Sequence, residues 1–285
     1  MMKQMTTSFV CRAIAMAFFL LVSVTSISAQ TPAGQIPRTP DGKPDLNGFW
    51  QVLNTADWDL ESQGGGPAPK EGLMLGAVGA IPPGLGVVEG GKIPYQPWAL
   101  AKRNENRKNW PSLDTEVQCL LPGVPRATYL PYPFQIIQYK DRIMAIYQYS
   151  YARREIYMKK REALIDQIMG WSNGHWEGDT LVVDVTDISA APDLEPGRPI
   201  RGNWLDRMGN FYSESLHVVE RYTPIDATHI MYEATLDDPK VYTRPWKISM
   251  PLYRRLEKNM QIIEFKCAEY VEEMKWGNLR KQPGK

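Results

Sequence analysis

The residues best suited to chemistry lie in LHVVERYT (216–223) and THIMYEATL (228–236), where His217, Glu220, Arg221, Tyr232 and Glu233 fall within one predicted hairpin. A histidine carries protons near neutral pH, and an arginine can hold a carboxylate or steady an enolate. Two glutamates brought together can differ enough in pKa to serve as acid and base. Pairing Thr223 with Thr228 puts Val218, Glu220, Tyr222, His229, Met231 and Glu233 on one face of the hairpin, and His217, Val219, Arg221, Ile230 and Tyr232 on the other. Neither face is purely apolar, which predicts that one of them lines a polar cavity. Two constellations are then open: His217 and Arg221 with Tyr232 inside, or Glu220 and Glu233 as an inward carboxylate pair. The same residues would also serve as a satisfied structural histidine and ordinary solvated acids, and a one-residue slip in register would exchange every partner.

Other chemistries lack their sequence basis. There is no Gly-x-Ser-x-Gly elbow, phosphate loop or His-Glu-x-x-His helix. A three-histidine metal site would need all of His175, His217 and His229, the only histidines in the chain, so no metal and no cofactor is expected. The 33 Lys and Arg balance 32 Asp and Glu, a net charge of +1 that gives no electrostatic reason to expect a nucleic acid or an anionic membrane surface as partner. With 43% hydrophobic and 23% charged residues, the chain can bury a sizeable core.

The elements that must position these residues are mostly strands. From Cys119 onward, runs rich in Val, Ile, Tyr, Phe and Thr alternate with turn residues. FQIIQY and RIMAIYQYS flank Lys140-Asp141. MGWSNGHWE and TLVVDVT flank Gly178-Asp179, a favoured two-residue turn. The hairpin above is the third, and PWKISMPLYRRL with MQIIEFKCAEY, joined at Glu257 to Asn259, makes a fourth. With GFWQVLN near the start there are about nine strands in one mostly β domain. A sheet of that size closes into a barrel or splits into a sandwich to remove its edges, and an antiparallel β-barrel is expected. In the second hairpin Ser172, Trp176, Leu181, Val183 and Val185 share the core face, while Asn173, His175, Asp184 and Thr186 share the other. Asp184 is expected as a structural acceptor or a partner to a cavity base. Trp50, Tyr147 and Trp171 belong to a dense aromatic set that suits an apolar or aromatic ligand.

Before the strands, residues 62–97 carry GGGPAP, IPPGLG, EGGKIP and YQP, a long Gly/Pro loop of the kind that is functional or disordered, and Pro97 to Asn109 reads as one short amphipathic helix. The first residues carry Lys3 and Arg12, an apolar run from Ala13 to about Val24, and a small-residue ending at Ala29. This is the pattern of a cleavable secretory signal over 1–29, with an extended leader over 30–45 and one domain over 46–285. The apolar run is shorter than the roughly 20 residues a membrane span needs. Removing Lys3 and Arg12 with the signal shifts the net charge from +1 to −1. Cys119 and Cys267 then remain, an even pair that reads as one disulfide in an oxidising compartment.

Two resemblances add to this reading. Asp45-Leu46-Asn47-Gly48-Phe49-Trp50 resembles the Gly-x-Trp opening of lipocalin-type barrels, in which the Trp plugs the closed end. The pattern GHWEGDTLVVD (174–184), Trp204-Leu205-Asp206, LHVVERY (216–222), Tyr232-Glu233, Asp238-Pro239 and Pro245-Trp246 resembles a large family of exported bacterial β-proteins of unassigned function. That resemblance covers most of 119–267, includes Cys119 with Leu121-Pro122-Gly123 as well as Cys267, and implies their disulfide. The chain departs from the family pattern at His175, where a basic residue is common, and at Tyr212, where a histidine is.

The sequence therefore predicts an exported, lipocalin-like β-barrel that handles a small apolar or aromatic molecule through an entrance formed partly by the Gly/Pro loop. It is either a cofactor-independent isomerase, hydratase or lyase using the hairpin residues, or a ligand-binding carrier, or a structural envelope module.

Overall fold

The computed structural model describes residues 35–67, 80–111, 113–189 and 203–265. Residues 1–29, expected to be a signal, Cys267 and residues 68–79 of the Gly/Pro loop lie outside them. Ala33–Lys285 forms one compact unit. No helix among the described residues is long and apolar enough to cross a membrane.

Nine strands close into a barrel: β1 (Gly48–Gln51), β2 (Phe134–Gln138), β3 (Arg142–Tyr147), β4 (Arg153–Tyr157), β5 (Trp171–Glu177), β6 (Thr180–Thr186), β9 (His217–Pro224), β10 (His229–Asp237) and β11 (Trp246–Arg254). Their order around the barrel is β1-β11-β10-β9-β6-β5-β4-β3-β2. A separate two-stranded ribbon, β7 (Asn203–Trp204) with β8 (Phe211–Tyr212), packs outside it. Helix α1 (Pro97–Lys108) starts on its proline as expected, and a single turn, α2 (Arg126–Tyr129), is wholly buried.

The strands form where β-branched and aromatic residues alternate with polar ones. In β9 and β10 the alternation is strict, every second residue buried over eight and nine positions. Gly178 opens the β5–β6 turn at φ 58, and Glu177 pairs with Thr180 as the sequence predicts. Inward residues such as Phe134, Ile156, Val183, Val218, Leu236 and Ile248 fill the barrel with a packed core.

Four expectations need correction. β4, with the sequence RREIY, is a barrel strand that the sequence reading omits. Its pairing with β5 is parallel, the one parallel seam of the barrel, and covers two residue pairs, Ile156 with Ser172 and Tyr157 with Asn173. The fourth hairpin does not form: β11 pairs with β1 instead, and residues 261–265 carry no strand. The β9–β10 register is shifted by three residues, with Thr223 opposite Met231 and Glu220 opposite Ala234. The cause lies in the turn. Asp226 Oδ1 accepts the backbone N–H groups of Thr228 (2.7 Å) and His229 (2.9 Å), and Ile225 N–H donates to the His229 carbonyl, so the ladder closes with Pro224 opposite Ile230 and not with Thr223 opposite Thr228. An odd shift turns β10 over relative to β9.

The Gly-x-Trp opening has a physical account in the barrel. Gly48 sits at φ 133, where a Cβ would lie 2.5 Å from Arg254 Nη1. Arg254 donates to the Asn47 carbonyl and lies 4.3 Å over the Trp50 ring, whose Nε1 donates to Leu46 O at 2.9 Å. Trp50 thus closes one end of the core, and no ligand is needed to explain it. Gly48→Ala should cost about 1–3 kcal/mol in chemical denaturation, because that backbone region is nearly exclusive to glycine. Adding Arg254→Ala should cost less than the sum of the two single changes.

Candidate functional site

Each predicted site residue has a definite place. Glu220 and Tyr232 point into the barrel and meet there with Tyr147. Arg154 of β4 donates Nη1 to Glu220 Oε1 at 3.1 Å and Nη2 to Glu220 Oε2, and its Nε donates to Ser172 Oγ at 2.7 Å. The hydroxyls of Tyr222 (3.1 Å) and Tyr232 (2.8 Å) both donate to Glu220 Oε1. Burial first, and the Glu220 charge second, hold both phenols well above their ordinary pKa, so they stay donors. Tyr147, 2% exposed, turns its hydroxyl toward this centre, beside Thr128 of α2 and Arg154. Glu220 Oε1 thus accepts three donors and Oε2 one. The centre is a brace that ties β4, β5, β9 and β10 across the core.

His217, Arg221 and Glu233 lie on the outside, which corrects both predicted constellations. The three-residue shift separates Tyr232 from His217 and Arg221, and Glu233 from Glu220. His217 Nε2 is 2.6 Å from Asp184 Oδ1, Arg221 Nη2 donates to Glu177 at 2.8 Å, and Lys247 Nζ donates to Glu233 at 3.0 Å. Asp184, Glu177, Arg221, His175 and Lys160 border a groove of about 560 Å3 across the outer faces of β5, β6 and β9. Its ion pairs are near half exposed, and such pairs contribute little to stability.

A second buried ionic network, absent from the sequence reading, lies outside the barrel. Arg126 of α2 donates to Asp114 Oδ1 (2.6 Å) and Glu116 Oε2 (2.9 Å), and Glu116 is clamped from its other side by Arg207 at 2.9 and 3.0 Å. Asp57 faces Arg207 at 3.5 Å. Asp206 accepts the N–H groups of Leu60, Met208 and Asn210, and both Asp206 and Asp59 take the Asn210 amide. Burial pushes Asp57 up to about 6 against the pull of Arg207, and burial with the nearby Asp59 pushes Asp206 up to about 7. Among the described residues no group of three His, Cys, Asp or Glu is arranged to hold a metal.

The Gly/Pro segment is organised around these elements. Gln63 and Gly66 pair with Gly84 and Ile81 as an antiparallel arm, and Val87 N–H donates to Leu60 O at 2.8 Å. Ser249 N–H of β11 donates to Val87 O at 3.0 Å. Between the arm and β11 is a cavity of about 400 Å3. Pro83, Leu85, Val87, Met250 and Pro251 supply its apolar wall, with Asn54, Thr55 and Asp59 as its polar groups. The side chain of Leu85 stands 98% exposed at its rim. The Gly/Pro run signalled this place in the sequence, whereas Asn54, Asp59 and Met250 carried no such signal. Trp171 lies elsewhere, at the β4–β5 seam.

Two outcomes test these assignments. Arg154→Leu should destabilise by about 3–5 kcal/mol in urea unfolding by stranding Glu220, and Arg154→Leu with Glu220→Leu should recover much of that loss. His217→Ala should change stability by less than about 1 kcal/mol. For pH, Asp57 and Asp206 keep protons in the folded protein that the unfolded chain releases near 3.8, the ordinary value for an aspartate. Their stabilising contribution is complete below about pH 4 and is lost as pH rises through their folded values. Asp57→Asn should therefore flatten the fall in stability between pH 4 and 7, by on the order of 2 kcal/mol.

No protein-family model, curated protein or solved structure compared with the chain matches it.

Proposed function

We propose that the protein is an exported binding protein for a small, apolar or aromatic molecule, taken up between the Gly/Pro arm and β11. The observation that carries this reading is the 400 Å3 cavity, whose size and makeup, an apolar wall with a few polar groups, are those of small-molecule sites. The arm's rigidity adds to it. A Cβ on Gly84 would lie 2.1 Å from Thr55 Oγ1, and one on Gly86 would lie 2.5 Å from Ser62 N, so Leu85 is held on tightly packed backbone at the cavity rim. A preformed wall loses little freedom on binding. The carrier reading is preferred to the acid/base enzyme because Glu220 is ion-paired with Arg154 in the core and His217 lies on the other side of the barrel wall from Tyr232.

Export belongs to the same proposal and rests on the leader pattern of residues 1–29; with it we propose that Cys119 and Cys267, the even pair left after that leader, form one disulfide. Denatured mature protein without reductant should show no reactive thiol, and two reactive thiols would overturn the bridge. For the ligand, the neutral probe N-phenyl-1-naphthylamine should bind the folded protein with enhanced fluorescence. Pro251→Trp, which fills the cavity, and Leu85→Asp, which puts charge at its rim, should each weaken binding about tenfold or more with the fold retained by circular dichroism. Unchanged affinity in both variants would remove the cavity as the site.

A further inference from the structure

The cavity between the Gly/Pro arm and β11 carries charge of one sign. Among the described residues its wall has no lysine, arginine or histidine, and Asp59 is its single ionisable side chain. Asp59 is 6% exposed, and its two oxygens are in different situations. Oδ1 accepts the Glu61 N–H at 3.0 Å and the Asn210 amide at 3.3 Å, whereas Oδ2 accepts no hydrogen bond among the described residues. Arg103 Nη2 stands 3.7 Å from Oδ2, beyond hydrogen-bond distance, and Arg103 is not part of the cavity wall. A nearly buried carboxylate with one oxygen short of a donor favours any ligand that supplies one.

The groups behind the wall do not make up the deficit. Asp206 shares the Asn210 amide with Asp59, so two buried carboxyls draw on Arg103. Lys92 is engaged with Glu61 at 3.0 Å, and Arg107 is exposed. Burial holds the Asp59 carboxyl above its ordinary pKa in spite of the Glu61 N–H, Arg103 and Arg107. The remaining wall suits a hydrocarbon body. Asn54 is fixed by accepting the Ala56 N–H at 3.0 Å, its amide lies 3.6 Å from the Met250 sulfur, and that thioether with Pro83, Leu85 and Pro251 can pack a ring. A cavity of about 150 Å3 holds benzene, so about 400 Å3 admits a ring with a short chain.

We propose that the ligand of this cavity is an organic amine, its ammonium on Asp59 Oδ2 and its apolar body against Met250, Leu85 and Pro251. The inference rests on the cavity being the binding site and adds the class of ligand. The probe is 2-phenylethylamine, with 2-phenylethanol as its neutral counterpart and 3-phenylpropionate as its anionic one, each titrated calorimetrically into the full-length mature protein. The amine should bind, the alcohol should bind about tenfold more weakly or worse, and the acid more weakly still, because its carboxylate would meet Asp59. Asp59→Asn, which keeps an acceptor for the Glu61 N–H, should weaken the amine about tenfold and leave the alcohol and N-phenyl-1-naphthylamine unchanged. Pro251→Trp should weaken the amine as well. No amine binding, equal affinity for amine and alcohol, or an amine affinity that survives either substitution would each overturn the assignment. N-phenyl-1-naphthylamine separates the two claims: if it still binds and Pro251→Trp still weakens it, the cavity stands and only the amine preference falls.

Discussion

The rest of the barrel is arranged around one buried charge pair. Placing Arg154 and Glu220 in the core costs several kcal/mol of desolvation per ion, which their attraction offsets only when the geometry is close and the remaining hydrogen-bonding positions are filled. Ser172, Tyr222 and Tyr232 fill them, and each sits on a different part of the wall. The pair therefore fixes which face of β4, β5, β9 and β10 turns inward. A register slip of one residue in β9 or β10 would send Glu220 or Tyr232 to solvent and leave Arg154 unpaired in an apolar core, a far larger penalty than a slip costs in an ordinary apolar sheet. Polar residues in the core here specify the pairing as much as they stabilise it.

That constraint explains what the sequence made legible and what it hid. The β5–β6 hairpin was readable because its two-residue turn and its alternation agree, and α1 because Pro97 opens a run of helix formers. The β9–β10 register was not, because its deciding interaction is a side chain: Asp226 gathers the N–H groups of Thr228 and His229, and nothing in the spacing separates that turn from one that pairs Thr223 with Thr228. β4 was hidden by its charges. Arg-Arg-Glu reads as solvated surface until a buried glutamate from β9, 66 positions away, accounts for the middle residue. Each alternative inward set, Glu220 with Glu233 or His217 and Arg221 with Tyr232, had one strand's face wrong for the same reason: the faces of β9 followed from alternation, and the face of β10 depended on the turn.

The short α2 turn joins the two buried networks. Arg126 leaves it toward Asp114 and Glu116, which reach Arg207 and the ribbon of β7 and β8, while Thr128 leaves it toward Tyr147 and the barrel centre. Tyr129 adds a third tie, its hydroxyl donating to Leu205 O at 2.8 Å. A single buried turn thus anchors the layer outside the barrel to the strands inside. That layer includes the segment from Asn54 to Leu60, which is held to Asp206 through the Leu60 N–H and which forms one wall of the β11 cavity.

The placing of two cavities follows from this construction. The barrel centre is filled by a buried ion pair and close-packed side chains. The cavities lie where the wall meets something else: the contact of β11 with the Gly/Pro arm, and the seam where β4 and β5 share only two residue pairs. Both owe their rigidity to the core beneath them. Met250 lies two residues from the buried Ile248 and Leu252, and Trp171 stands one residue from Ser172, whose hydroxyl accepts the Arg154 guanidinium. The charge pair at the barrel centre thereby also holds the aromatic wall of the seam in place.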